Sequence, residues 1–200
     1  MEPIETIMQT VAEIPYTIEV YPDKDPLDPR KAFDNLGVMV CFHKRYSLGD
    51  YHDLETNMFH NWNEVLGYIQ KHSGPVVALP LYLYDHSGIT MNTYGFSHCD
   101  PGRWDWGQTG WIYVFCHTLR SEFGWKKVTP KRKAYAEQIL LSEVESYSAY
   151  LEGAVYGYTV KDPDGSEIAS CWGFYGYDHK KNGLIAHATE AVKHHLKLAA

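Results

Sequence analysis

Aspartate, histidine and serine stand side by side at Asp85-His86-Ser87, with Gly88 following, and these are the residue types of an acyl-transfer triad. Their spacing argues against joint action. Neighbours on an extended chain point to opposite faces, so consecutive residues do not line up a proton relay. The Gly-x-Ser-x-Gly elbow of serine hydrolases is also absent. Asp85 or His86 can still act singly, as acid, base or metal ligand, at the end of a buried strand. The competing expectation is a turn in which Asp85 accepts from the Ser87-Gly88 backbone.

The same segment continues into a second kind of chemistry. Between Tyr82 and Phe115, nine of 34 residues are aromatic, and only Asp85, Asp100, Arg103 and Asp105 carry charge. Gly107-Gln108-Thr109-Gly110 precedes an apolar run with strand character, so phosphate binding at a helix N-terminus does not apply. No Gly-rich nucleotide loop occurs. Exposed amides and a glutamine beside Trp104, Trp106 and Trp111 suit the stacking of a nucleobase-like ring, with Asp105, Ser87 and Thr90 as further contacts.

Three cysteine–histidine neighbourhoods invite a metal reading: Cys41-Phe42-His43, His98-Cys99 and Cys116-His117. Cys41 and His43 share a strand face, yet no Cys-x-x-Cys pair anchors the set, and the zincin and deaminase signatures are missing. Neither a metal nor a cofactor is expected. His52-Asp53 is the residue pair of the HD-type metallohydrolases, which need an all-helical setting. Lys126, Lys127, Lys131, Arg132 and Lys133 put five cations into eight residues at a helix start, where the dipole mildly disfavours them. A contact to phosphate or an acidic partner would repay that cost.

The elements that must position these groups follow from periodicity and punctuation. Tyr16 to Tyr21 alternates like a strand and ends in a proline-rich stretch, 22–29; the first thirty residues otherwise predict an irregular arm or a short helix. Val38 to His43, Val76 to Tyr84 and Trp111 to Cys116 predict buried strands, with Pro80 marking a bulge or an edge. Met58, Trp62, Val65, Leu66 and Ile69 recur at helical spacing over 54–72, stopped by Gly74-Pro75. Thr129-Pro130 opens a helix that Gly153 closes. Asp162-Pro163-Asp164-Gly165 joins two strands, and Asn182 caps a final helix. Strand pairs alternating with single helices predict an α+β fold: one mixed, mainly antiparallel sheet with about three helices on it, in a single domain over 1–200.

The composition is that of a packed globule, 44% hydrophobic and 22% charged. The net charge of −7 is concentrated in residues 1–55, which carry eleven acids against five bases and so do not suit wrapping a nucleic-acid backbone. No stretch reaches 18 apolar residues and no leader is evident, so a cytoplasmic protein with reduced cysteines and no membrane association is expected. Sixteen tyrosines and six tryptophans are compatible with a homodimer.

Several motifs give a resemblance. They are Asp34-Asn35-Leu36-Gly37, Met39 to His43, Arg45-Tyr46, Leu48 to Asp50, Tyr84 to Thr90, Asp105 with Gly107-Gln108 and Gly110 to Val114, and Cys171 to Gly176. The chain resembles a family found in bacteriophage, prophage and metagenomic viral genomes. It departs from that pattern at Trp106, where a small residue is expected, and in a longer loop over 98–103. The resemblance brings no enzymatic activity with it. It implies host takeover or counter-defence in a bacterial cytoplasm, by binding a host protein or a nucleotide-like molecule through the 85–110 loop. The rivals are a small metal-assisted hydrolase or nuclease using Asp85 and His86, and nucleic-acid binding through 126–133.

Overall fold

Ile18 and Val20 on one strand, and Tyr158 and Val160 on another, turn inward with a period of two and are almost wholly shielded from water. In the computed structural model, which describes residues 2–199, these strands are β2 (Ile14–Pro22) and β7 (Val155–Lys161). With β1 (Glu5–Val11) and β8 (Glu167–Tyr175) they make an antiparallel sheet in the order β1-β2-β7-β8. Helix α5 (Leu184–Ala199) covers one face through Leu184, Ala188 and Val192, spaced four apart and fully buried. This is one compact unit, built from the chain up to Leu27 and from Gly153 onward.

The second unit, Asp28–Glu152, interrupts the first in sequence. Its sheet runs β3-β6-β4-β5, again antiparallel throughout, from β3 (Val38–Cys41), β4 (Val76–Asp85), β5 (Ile89–Asn92) and β6 (Trp106–Phe115). The short helix α1 (Pro29–Ala32) precedes β3, and α3 (Cys116–Phe123) follows β6 directly. Helix α4 (Pro130–Leu151) lays Leu140, Val144 and Tyr147 on one sheet face, against Leu81, Leu83, Met91 and Ile112. Helix α2 (Trp62–Ser73) lays Val65 and Ile69 on the other, against Val40 and Tyr113. Each such side chain contributes about 1.5–3 kcal/mol on leaving water. Gly110 lets β3 approach β6: a Cβ there would lie 2.0 Å from the Val40 carbonyl oxygen.

The fold is α+β, with two corrections. There are two four-stranded sheets, not one, and every strand pair is antiparallel, not mixed. Among the described residues, α1 and α3 add to the three long helices that were expected. Residues 5–11 are not an arm or a helix but strand β1, joined to β2 by Ala12 and Glu13, both at positive φ. Helix α2 begins at Trp62, not 54. The Asn61 side chain accepts from the Asn63 and Glu64 amides and sets the boundary, after a 3-10 turn over Thr56–Met58. Pro80 lies on inner strand β4, beyond the end of β5, where β4 has a partner on one side only. The irregularity falls one residue on. Leu81 pairs with Gly110 but Tyr82 with Gln108, so Thr109 is a bulge in β6.

Candidate functional site

The bulge at Thr109 lies where β3 runs out. The last ladder pair is Cys41 with Gly110; Phe42 then binds Thr109 twice, its N–H donating to the Thr109 carbonyl and its own carbonyl accepting from the threonine hydroxyl. Beyond this point residues 43–48 leave the sheet, opening a cleft of about 330 Å³ beside Trp106, Gly107 and Gln108. The chain 43–50 is held in place from the far side. The Gly49 amide donates to the Tyr147 hydroxyl at 2.9 Å, and Asp50 bonds the Met39 amide at 2.8 Å.

On the rim, the β4–β5 turn separates the two residues that looked like a pair. The Asp85 carboxylate forms an ion pair with Arg45, and Tyr46 donates to it at 3.4 Å. The expected bond from Asp85 to its own turn is replaced by His86 N–H donating to the Gly88 carbonyl. His86 turns the other way, with Nδ1 2.9 Å from the Asp105 carboxylate, and both groups are well exposed. Ser87 sits at the apex with φ of 59°, and neither Ser87 nor Thr90 lines the cleft. Asp85 is thus neutralised by a guanidinium, and His86 is oriented by a different carboxylate. The two side chains therefore bond different partners.

The 93–105 loop builds a small core of its own. Asn92 accepts from the Tyr94 and Gly95 amides at 3.1 and 2.7 Å, which starts the loop as a side-chain-closed turn. Phe96 is buried against Tyr84, with ring centroids 5.3 Å apart, and Trp106 packs edge-on to Phe96 and Tyr82. The Trp106 indole donates to the Asp100 carbonyl at 2.7 Å, and the Arg103 guanidinium lies 4.9 Å over its ring. Trp106 therefore pins the loop while lending an edge to the cleft. Trp111 lies further along β6 in the α2 layer, where its indole donates to the Trp62 carbonyl, and it does not line the cleft. Trp104 differs from both: it is 88% exposed at the mouth.

The structure thus brings Asp85, Trp104, Asp105, Trp106 and Gln108 around one cleft and leaves Ser87, Thr90 and Trp111 outside it. Sequence reasoning missed Arg45 and Phe42 as walls. The Met39-to-His43 and Arg45-Tyr46 motifs were the signals for them, and neither says anything of a partner on another strand. Gln108 spends its amide N–H on the Gly110 carbonyl at 3.2 Å, which leaves its oxygen as an acceptor. His43 is stacked on Tyr46 and faces the cleft, while Cys41 points into the core, where burial pushes its thiol up to about 12. Among the described residues no group of three or more His, Cys, Asp or Glu side chains is gathered as a metal site.

The basic run lies elsewhere, before and within the first turn of α4. Arg132 stacks over Trp125 at 5.0 Å and donates to the Lys127 carbonyl; Lys133 stands 3.8 Å from Glu137; Lys126, Lys127 and Lys131 face solvent. No helix among the described residues is long and apolar enough to cross a membrane. Comparison with protein-family models, with curated proteins and with solved structures gives no match.

Proposed function

We propose that this protein is a binding protein for a nucleotide-like ligand, which it holds in the cleft beside Gln108. The observation that carries this reading is Trp104, an indole left 88% exposed at the mouth of a polar cleft, while Phe96 and Trp106 are consumed by internal packing and Tyr94, also exposed, does not line the cleft. A base stacks on Trp104, the Gln108 oxygen accepts from an amino group, and Arg45, already aligned by Asp85, meets a phosphate. The resemblance to viral genome-borne proteins is what motivates assigning this capture to counter-defence or host takeover in a bacterial cytoplasm. The hydrolase reading is weaker because Asp85 and His86 are committed to different partners. Nucleic-acid binding through 126–133 has only exposed cations to support it.

Adenosine and guanosine monophosphates, titrated while tryptophan emission is followed, test the reading. Stacking on an aromatic side chain is worth about 1–3 kcal/mol per base, so Trp104→Ala should weaken binding roughly 5- to 150-fold. Its melting temperature should stay unchanged, given the exposure of the ring. Wild-type protein that binds neither nucleotide at millimolar concentration, or a variant that binds as well as wild type, refutes it.

A further inference from the structure

Segment 42–62 encloses a second, larger cavity of about 710 Å³, within the range of small-molecule sites. Its walls are largely aromatic: the Phe42 ring lies 5.7 Å from Trp62, 6.5 Å from Phe59 and 5.0 Å from the His52 imidazole. Two histidines in this wall are incompletely used, and their bonds fix their tautomers. His52 Nε2 lies 2.9 Å from the Cys41 carbonyl oxygen, which can only accept, so Nε2 carries the proton and Nδ1 holds a lone pair. That Nδ1 is buried without any hydrogen-bond partner. His43 is the complement: its Nδ1 accepts from the Arg45 and Tyr46 amides, both at 3.3 Å, so its proton sits on Nε2. The fixed charges of the lining do not call for an ionic ligand. Asp50 gives both oxygens to Arg30 and one also to the Met39 amide, and Lys44 is exposed.

We propose that this cavity is a binding site for an uncharged, planar heteroaromatic ring bearing an N–H donor and a ring-nitrogen acceptor. The ring lies among Phe42, Phe59 and Trp62. Its N–H is donated to His52 Nδ1, which a small turn of the half-buried imidazole presents to the cavity. Its acceptor nitrogen takes the His43 Nε2 proton. Satisfying a buried orphan atom is what selects an N–H-bearing ring over a hydrocarbon of the same shape. This cavity shares Phe42 and His43 with the Trp104 cleft but has His52, Phe59 and Trp62 to itself, so His52 is the residue that reports it alone, and the proposal does not depend on nucleotide binding in the cleft.

Benzimidazole, 1-methylbenzimidazole and indole serve as probes, titrated near neutral pH while histidine ring nitrogen and carbon resonances are recorded. Benzimidazole should shift His52 and His43 and saturate. 1-Methylbenzimidazole, which lacks the donor, should bind at least about tenfold more weakly, and indole, which keeps the donor but lacks the acceptor, should fall between. His52→Phe should erase the preference for benzimidazole over its methyl derivative. If that variant fails to fold, the comparison of the three probes on wild-type protein decides alone. Equal binding of benzimidazole and 1-methylbenzimidazole, shifts confined to Trp104 and its neighbours, or no shift of His52 at millimolar probe would each overturn the proposal. An adenosine monophosphate titration on the same sample reads the Trp104 cleft separately.

Discussion

Arg30 is the most consequential single side chain in the second unit, and Arg30→Met tests how the cleft-bearing segment is held. Its side chain is 2% exposed and makes four bonds: to both Asp50 oxygens at 3.0 and 2.6 Å, to Glu143 at 2.8 Å and to the Gly37 carbonyl at 2.6 Å. It thereby ties residues 28–50, which carry His43 and Arg45, to the middle of α4. Methionine fills most of the volume and removes the charge, stranding two carboxylates. Breaking a buried ion pair by removing one partner costs about 3–5 kcal/mol. The carboxylates keep other donors, Glu143 from the Leu36 and Gly37 amides and Asp50 from the Met39 amide, so the low end, about 3 kcal/mol, is expected. With a urea m-value of about 2 kcal/mol/M, the midpoint should fall by roughly 1.5 M. Tryptophan emission reports this unit selectively, because five of the six tryptophans lie between Asp28 and Glu152. Adding Asp50→Asn and Glu143→Gln removes the stranded charge but keeps acceptors for the three amides, and should restore about half of the loss. A single variant that loses less than about 1 kcal/mol would refute the view that Arg30 anchors this segment. A triple variant no better than the single would show that shape, not charge, is what matters.

Two further outcomes follow from burial. Burial pushes the Cys41 thiol and the Tyr147 and Tyr158 hydroxyls up to about 12, above their unfolded values of about 8.5–10. Such acids hold their protons more tightly when folded, so stability is complete below the unfolded values and is lost as pH rises through them toward 12. Urea midpoints should therefore fall steadily between about pH 9 and 11, and a flat profile would contradict it. For the thiols, a disulfide reagent should label exposed Cys99 quickly and Cys41 only on unfolding, as read by mass spectrometry of peptides. Rapid labelling of Cys41 in folded protein would show that β3 opens far more readily than its packing allows.

The readable parts of this chain were those whose signal is local. Thr129 caps α4 as its type demands, accepting from the Arg132 amide, and Gly74 closes α2 with φ of 94°. Asn182 accepts from the Leu184 amide, but Gly183 lies between it and the first residue of α5, so it stands one residue before the cap position. The Asp162-to-Gly165 turn joins β7 to β8 because Asp162 accepts from the amides of Asp164 and Ser166. Strand β1 was missed since its inward face, Ile7, Gln9 and Val11, interrupts the apolar alternation, and its turn uses alanine and glutamate where glycine or asparagine would announce it.

The sequence by itself determined the fold class, most element positions and the concentration of aromatic and polar groups between 82 and 115, because periodicity, caps and turn residues act within a few positions. Only the tertiary structure decided which strands share a sheet, since β2 pairs with β7 across more than a hundred intervening residues and no local pattern encodes that choice. It also decided the fate of each ring in the loop. Trp104, Trp106 and Trp111 are chemically identical in sequence, yet one is exposed, one pins a loop and one fills a helix–sheet layer. Burial and hydrogen-bond satisfaction assign those roles, and both depend on what the rest of the chain brings alongside.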